Sequence, residues 1–258
     1  MKLTILGSAA AGTNAGSGCS SYLIRSEETR LLIDCGPGTI PELKRHIDVR
    51  LLDGIVISHM HLDHILDLVT LRGAYRYAPE PFDGRIPLWL PPGGAAILDS
   101  LAAPLDLDHH SPLFFDQVYE THEYNPIDSL QIGSIAIDFA PTQHAMPAWA
   151  MRVARSGSDA AIGITSDTGP VTNLAAFLCG VSALICEATL LESDVSPMER
   201  DHLTAQEAGR LAEMCQAGRL VLTHVWDELG ADKLLSSAMS AYAGPVEFGW
   251  PGMEIETT

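Results

Sequence analysis

The sequence predicts an α/β fold in which two β-sheets carry helices on their outer faces, and three observations lead to it. Short apolar runs with strand character alternate with segments of helical periodicity in both halves of the 258-residue chain. Neither a linker nor an internal repeat divides the sequence, so we expect one domain over residues 1–258. Hydrophobic residues make up 47% and charged residues 19%, which is the balance of a packed globule.

The first half of the chain predicts a strand, a loop of small residues, a hairpin and the first helices. The first strand ends at Gly7, residues 8–20 are rich in Gly, Ala and Ser, and residues 26–28 form the hairpin turn. Pro41 opens a short helix, because proline suits the first helical turn. The predicted strands are 2–6, 21–25, 30–34, 54–58 and 87–90, and the predicted helices are 41–45, 63–76 and 95–102.

The second half alternates strands and helices, and the helical pattern is clearest at 204–215. Thr204 and Glu207 predict a capping box at the start of this helix. The longest apolar region, 174–191, is interrupted at Gly180 and therefore does not predict a membrane span. The predicted strands are 130–139, 148–153, 161–166, 183–186, 219–223 and 244–248, and the predicted helices are 172–178, 204–215 and 232–241.

Composition limits the compartment and the partners of the protein. The formal net charge of −18 disfavours nucleic acid as a partner, because binding it requires Lys and Arg side chains at the phosphates. Five unclustered cysteines indicate free thiols of a reducing compartment rather than zinc ligands. The apolar start is too short for a signal peptide, so we expect a cytoplasmic protein that does not bind a membrane.

A cluster of metal-ligand side chains follows the predicted strand 54–58. His59, His61, Asp63 and His64 lie within six positions. Imidazoles and carboxylates are ligands of zinc and its neighbours in the first transition row. Buried in packing alone, four such groups would need many hydrogen-bond partners, and a strand end is a poor place for a solvated histidine cluster. The spacing therefore predicts a metal site.

Three further candidate ligands stand directly after apolar strands, as the histidine cluster does. They are His144, Asp167 and His224. Each alone would more often be a capping or core-edge residue. Because strand ends can direct several ligands to one edge of a sheet, we expect these three to join the cluster.

These residues and their flanking motifs resemble the metallo-β-lactamase superfamily over essentially the whole chain. Residues 32–36 (LIDCG) match its first motif, in which Asp34 would support the metal loop. Residues 166–169 (SDTG), 186–189 (CEAT) and 201–205 (DHLTA) resemble the branch of ribonuclease Z-like and cyclic-nucleotide phosphodiesterase-like proteins. The resemblance implies a four-layer αββα sandwich, the metallo-β-lactamase fold, and a homodimer.

The resemblance also implies a site for two divalent ions bridged by Asp167. One ion would bind His59, His61, His144 and Asp167, and the other would bind Asp63, His64, Asp167 and His224. Two ions about 3.5–4 Å apart share a hydroxide and stabilise the attacking and leaving oxygens of a phosphoryl displacement. Zinc is the expected metal, with manganese or iron as alternatives, since His and Asp ligands accept all three.

Catalytic roles are implied for His202, Glu187 and Asp63. His202, oriented by Glu187, would donate a proton to the leaving alkoxide or hydrogen-bond a non-bridging oxygen. Its alternative role is merely to precede the helix cap at Thr204, but a capping box holds a functional loop equally well. Five more side chains near the motifs leave open whether they contact substrate: Arg72, Tyr75, Arg76, Trp149 and Trp226.

The function favoured by these motifs is metal-dependent hydrolysis of a small phosphodiester such as a cyclic nucleotide. The chain lacks the basic arm with which bacterial ribonuclease Z grips tRNA, and Asp67 stands where that motif usually has glycine. A tRNA 3′-processing endonuclease is the second candidate. A hydrolase of a thioester, lactone or sulfate ester is the third, and a non-catalytic metal-binding protein is the least favoured because the ligand set is intact.

Overall fold

The computed structural model of the protein describes residues 1–80, 82, 84–106, 114–170 and 173–257. The strands are β1 Lys2–Ala9, β2 Gly18–Cys19, β3 Ser21–Ser26, β4 Thr29–Ile33, β5 Gly54–Val56, β6 Ile86–Leu90, β7 Tyr119–Glu123, β8 Leu130–Ile132, β9 Ile135–Pro141, β10 Trp149–Arg155, β11 Ala161–Ile164, β12 Ala183–Glu187, β13 Leu220–Thr223, β14 Val246–Phe248 and β15 Glu254–Glu256. The α-helices are α1 Ile40–His46, α2 Leu62–Ile65, α3 Asp67–Arg76, α4 Gly94–Leu105, α5 Asn173–Phe177, α6 Ala205–Met214 and α7 Ala231–Met239. None of these helices is both long and apolar enough to cross a membrane.

Two mixed sheets lie face to face between layers of helices. The strand order is β15-β1-β3-β4-β5-β6-β7 in the first sheet, with β2 beside β1, and β14-β13-β12-β11-β10-β9-β8 in the second. Apolar side chains from both sheets, among them Ile33, Val56 and Ile185, form one core between the sheets. A second core lies beneath α1, α3 and α4, and a third beneath α5, α6 and α7. The four-layer αββα sandwich expected from the sequence is therefore confirmed.

Several predicted elements differ in the structure for local reasons. The predicted strand 130–139 is divided into β8 and β9 by a turn in which Gly133 has φ +53°. The predicted helix 63–76 is broken at Leu66 into α2 and α3. Strands β7 and β15 were not predicted, because β7 lacks the apolar alternation of a half-buried strand and the alternation of β15 extends over only three residues. Thr172, the first residue of the predicted helix 172–178, lies outside the described residues.

Asp67 joins the histidine loop to the start of α1. Its buried carboxylate accepts hydrogen bonds from the backbone N–H groups of Thr39 at 2.8 Å and Ile40 at 3.1 Å. Thr39 stands at the N-cap but makes no capping bond with its own side chain. Asp67 therefore supplies the cap from 28 residues away along the chain.

Three strand ends at one edge of the sandwich place non-glycine residues in the left-handed backbone region. φ is 57° at Asp34, 54° at Ser166 and 52° at His224. L side chains rarely adopt this region, and residues that do so concentrate at functional sites, where the surrounding structure holds them. This edge, where β4, β5, β11 and β13 end, carries the candidate ligands.

Candidate metal centre

The histidine loop leaves the first sheet after β5 and closes into the short helix α2. Ile57 donates its backbone N–H to the Trp89 carbonyl at 2.9 Å, which extends the sheet contact by one residue. His61 precedes α2, and the helix carries Asp63 and His64 in its single turn. Each of these two side chains is buried, so the turn presents both to the interior of the protein.

Four side chains from three strand ends form the first cluster. His61 Nδ1 lies 3.2 Å from His59 Nε2 and 2.9 Å from His144 Nε2. Asp167 Oδ2 lies 3.7 Å from His59 Nε2 and 3.9 Å from His144 Nε2. The ligand atoms of this cluster all lie within 4.8 Å of one another, a spacing that one metal ion can bridge.

A second cluster shares Asp167 with the first. His224 Nε2 lies 3.1 Å from Asp63 Oδ2 and 3.3 Å from Asp167 Oδ2. His64 Nε2 lies 3.3 Å from Asp167 Oδ1 and 3.6 Å from Asp63 Oδ2. The structure thus brings together all seven residues that the sequence predicted as ligands, in the two predicted groups of four.

The unsatisfied polar atoms in these clusters fit a divalent cation. His64 Nε2 and Asp167 Oδ1 are buried and have no hydrogen-bond partner among the described residues. Burial opposes charge on His64, yet Asp167 and Asp34 outweigh it and raise the pKa of His64 well above its usual value. Carboxylates in this cavity therefore attract positive charge. Burial and the neighbouring His64 lower the pKa of His59, which keeps that imidazole neutral as a ligand must be.

Asp34 supports the histidine loop on the side opposite the clusters, as the motif at residues 32–36 predicts. His64 Nδ1 donates to Asp34 Oδ2 at 2.8 Å. Ser58 donates its backbone N–H to Oδ1 at 2.7 Å and its hydroxyl to Oδ2 at 2.8 Å. The Ser58 hydroxyl in turn lies 3.1 Å from His59 Nδ1. These bonds fix both rings with Nε2 toward the clusters.

Glu187, the last residue of β12, binds the loop that follows β11 and holds His202. Its Oε1 accepts hydrogen bonds from the backbone N–H of Thr168 at 2.8 Å and from His202 Nδ1 at 3.0 Å. The ring of His202 lies 5.3 Å from that of His144 and 5.5 Å from that of His224, so it adjoins both clusters. Burial opposes its charge, but Glu187 raises the pKa of His202 to about 9.

Thr189 is a site residue whose role the sequence did not predict. His224 Nδ1 lies 2.8 Å from the Thr189 hydroxyl, which donates to Glu187 Oε2 at 2.6 Å. With its Nδ1 proton engaged, His224 presents the lone pair of Nε2 to the second cluster. The CEAT motif contains this threonine, but spacing alone does not show which ring it contacts.

The remaining candidates have mostly structural contacts. Buried Arg72 donates from Nε to the Phe114 carbonyl at 2.6 Å, and its guanidinium stacks 3.8 Å from the centre of the Phe114 ring. Tyr75 is buried and donates to the Val49 carbonyl. Arg76 is exposed at the end of α3, Trp149 packs against the core between the sheets, and Trp226 lies over Gly12. The predicted capping box of Thr204 and Glu207 is present at α6.

Curated relatives are similar to this chain over most of its length. The Bacillus subtilis protein named "Probable metallo-hydrolase YhfI" is 29% identical over 260 residues, covering 99% of this chain and 100% of the relative. The "Ribonuclease Z" of a Mycobacterium species (strain KMS) is 28% identical over 240 residues, covering 87% of this chain and 84% of the relative.

Solved structures share the fold. The crystal structure of the metallo-β-lactamase fold protein YhfI from Bacillus subtilis superposes with a TM-score of 0.84 at 25% identity, covering 98% of each chain. Human tRNase Z, short form, superposes with a TM-score of 0.76 at 23% identity over 100% of each chain, which shows the fold alone. The profile of the family described as "Beta-lactamase superfamily domain" matches residues 29–225. With its His and Asp clusters suited to divalent metal, the chain therefore belongs to the metallo-β-lactamase superfamily of metallo-hydrolases.

Proposed function

We propose that the protein is a phosphodiesterase that uses two divalent ions, zinc by preference, to hydrolyse a small monoanionic diester such as a cyclic nucleotide. The observation that carries the proposal is the Glu187–His202 pair beside two clusters that share one carboxylate. A metal pair alone suits many esters, whereas a charged imidazole next to it suits a phosphodiester with a poor leaving group.

The ligand sets follow from the two clusters. One ion would be held by His59, His61, His144 and Asp167, and the other by Asp63, His64, Asp167 and His224. When bound, such ions supply Lewis acidity toward the phosphoryl oxygens and a water nucleophile at neutral pH. Imidazole nitrogens and carboxylates suit zinc, with manganese or iron as alternatives.

His202 would provide the proton that the leaving oxygen needs. Its Nδ1 is engaged with Glu187, so Nε2 is the nitrogen left to donate. The side chain is 28% exposed, which lets a substrate approach the ring from solvent. Because Glu187 raises the pKa of His202, the ring carries its proton at neutral pH.

The charges around the site favour a substrate with a single negative charge. Within the described part of the chain, the ion pairs of Asp34, Asp63, Asp167 and Glu187 are all with histidines. Arg200, two residues before His202, is buried against Glu207 instead. The net charge of −18 disfavours binding of a polyanion, which requires Lys and Arg side chains. Processing of tRNA remains the second candidate, favoured by the ribonuclease Z relative.

Hydrolysis of bis(p-nitrophenyl) phosphate, with and without chelator, tests the proposal. We expect turnover that depends on zinc or manganese. The H202A variant should keep its metals and lose roughly 10²–10⁴-fold in kcat toward diesters with poor leaving groups. H46A is the matched control, since His46 also pairs with a glutamate, Glu42, but on α1.

A substrate panel then separates the two candidates. It contains 3′,5′- and 2′,3′-cyclic nucleotides and precursor tRNA. Cleavage of precursor tRNA with no turnover of cyclic nucleotides would favour the endonuclease. Absence of metal-dependent turnover on every diester would reject the phosphodiesterase.

A further inference from the structure

Gln143 joins three loops of the site, although it is neither a candidate ligand nor part of a recognised motif. Its side-chain Nε2 donates to the Pro197 carbonyl at 2.7 Å and to the Arg200 carbonyl at 2.9 Å. Both acceptors belong to the loop that leads into His202. One amide group thus holds this loop at two points, because its Nε2 carries two donor hydrogens.

The backbone of Gln143 is bonded to the loop that carries Asp167. Its carbonyl accepts from the Gly169 N–H at 2.7 Å, and its N–H donates to the Thr168 hydroxyl at 3.3 Å. A Cβ atom at Gly169 would lie 2.1 Å from the Arg200 carbonyl oxygen and 2.8 Å from Gln143 Cδ. The three loops are therefore in direct contact with no space between them.

Besides Gln143, the loop ahead of His202 is held at Arg200, whose buried guanidinium pairs with Glu207. Residues 192–199 are exposed, and their regular structure is a single 3₁₀ turn at Pro197–Glu199. His144, next to Gln143, adds one more bond, from Nδ1 to the Asp201 carbonyl at 3.1 Å. The position of His202 over the clusters thus depends on contacts from residues 143 and 144, together with the Arg200–Glu207 ion pair and its own bond to Glu187.

We propose that Gln143 is a positioning residue that sets the place of His202 relative to His144 and Asp167. The kinetic part of this inference rests on the proposed phosphodiesterase function, but the structural part does not. Loss of the amide donors would release the loop at Pro197 and Arg200 and leave His202 imperfectly aligned with the leaving oxygen, while the ligand atoms stay in place.

Hydrogen exchange of the full-length, metal-loaded protein tests the structural part without any substrate. In Q143A and in the nearly isosteric Q143E, the backbone amides of residues 196 and 198–203 should exchange at least roughly tenfold faster, because the loop loses both side-chain hydrogen bonds that hold it closed. Metal content should be unchanged. Q131A is the matched control, since Gln131 also donates from Nε2 to two acceptors, Gly133 and Ser156, but on β8. Exchange like that of the parent in Q143E would overturn the inference.

Leaving-group dependence tests the kinetic part. A displaced general acid matters most for poor leaving groups, so Q143A should lose more activity toward diphenyl phosphate than toward bis(p-nitrophenyl) phosphate, as H202A should. An equal loss on both esters would mean that Gln143 only stabilises the fold, and would overturn the positioning role. If the parent hydrolyses neither ester but exchange rises in the variants, the proposed function fails and the structural inference stands.

Discussion

At the scale of a residue, Thr189 shows how one hydroxyl orients a candidate metal ligand, His224. The hydroxyl accepts a hydrogen bond from His224 Nδ1 and donates one to Glu187 Oε2. A T189V variant keeps the shape but leaves Nδ1 without an acceptor. We expect its affinity for zinc to fall roughly 10–100-fold, measured by competition with a chromophoric chelator. T189S should restore most of it, and a T189V protein that binds zinc like the parent would contradict the role.

Glu187 stabilises the protonated form of His202. The pH dependence of kcat/KM tests this effect. In the proposed mechanism His202 acts in its acid form, so the rate should fall as pH rises through its pKa, which Glu187 raises to about 9. Removing the carboxylate charge in E187Q lowers that pKa, so the alkaline limb of kcat/KM should move to lower pH. The control is E192Q, at an exposed residue of the loop between β12 and His202, and it should leave the alkaline limb in place. If the alkaline limb does not move in E187Q, that limb reports the titration of a group other than His202.

The limits of prediction from sequence are clearest for single residues that act across the fold. His59, His61, Asp63 and His64 could be predicted because their spacing is local. Thr189 and Gln143 could not, since their partners lie 35 and 57 residues away and either residue is ordinary in its own segment. Such roles arise only when separate strand ends meet.

At the scale of elements, α1 depends on a carboxylate from outside the helix. Asp67 caps its first N–H groups, so D67A leaves two buried donors without an acceptor. We expect the free energy of unfolding to fall by about 1–3 kcal/mol in denaturant titration. D99A, on the exposed face of α4, should change it by less than about 0.5 kcal/mol. Equal stability of D67A and the parent would show that water or another group replaces the cap.

Buried elements were predicted better than edge elements. The strands β5, β11, β12 and β13 are continuous apolar runs, and parallel strands covered on both faces require such runs. The edge strands β7 and β15 carry glutamates at exposed positions, and their pairing depends on a neighbouring strand rather than on their own pattern. The position of these two edge strands is therefore determined by tertiary pairing and not by local sequence.

At the scale of the whole molecule, metal binding should raise the free energy of unfolding. Ions that bind the folded chain stabilise it by mass action, about 2.7 kcal/mol at 100 times the dissociation constant. Adding zinc to chelator-treated protein should raise the melting temperature by roughly 5–10 °C, as followed by differential scanning fluorimetry. D167A, which lacks the carboxylate shared by both clusters, should lose most of this rise. Identical melting with zinc and with chelator would contradict a folded metal site.

The left-handed strand ends limit how far this chain can be made more thermostable. Asp34, Ser166 and His224 hold a backbone conformation that costs a non-glycine residue about 1–3 kcal/mol each. Glycine would relieve that strain, but it would delete a carboxylate, a hydroxyl and an imidazole from the site. At Asp34 the change would also leave three buried hydrogen-bond donors without their acceptor, so the gain in backbone freedom would be lost again. Substitutions that raise thermostability should therefore be sought on exposed helices and loops, with Asp34, Ser166 and His224 left unchanged.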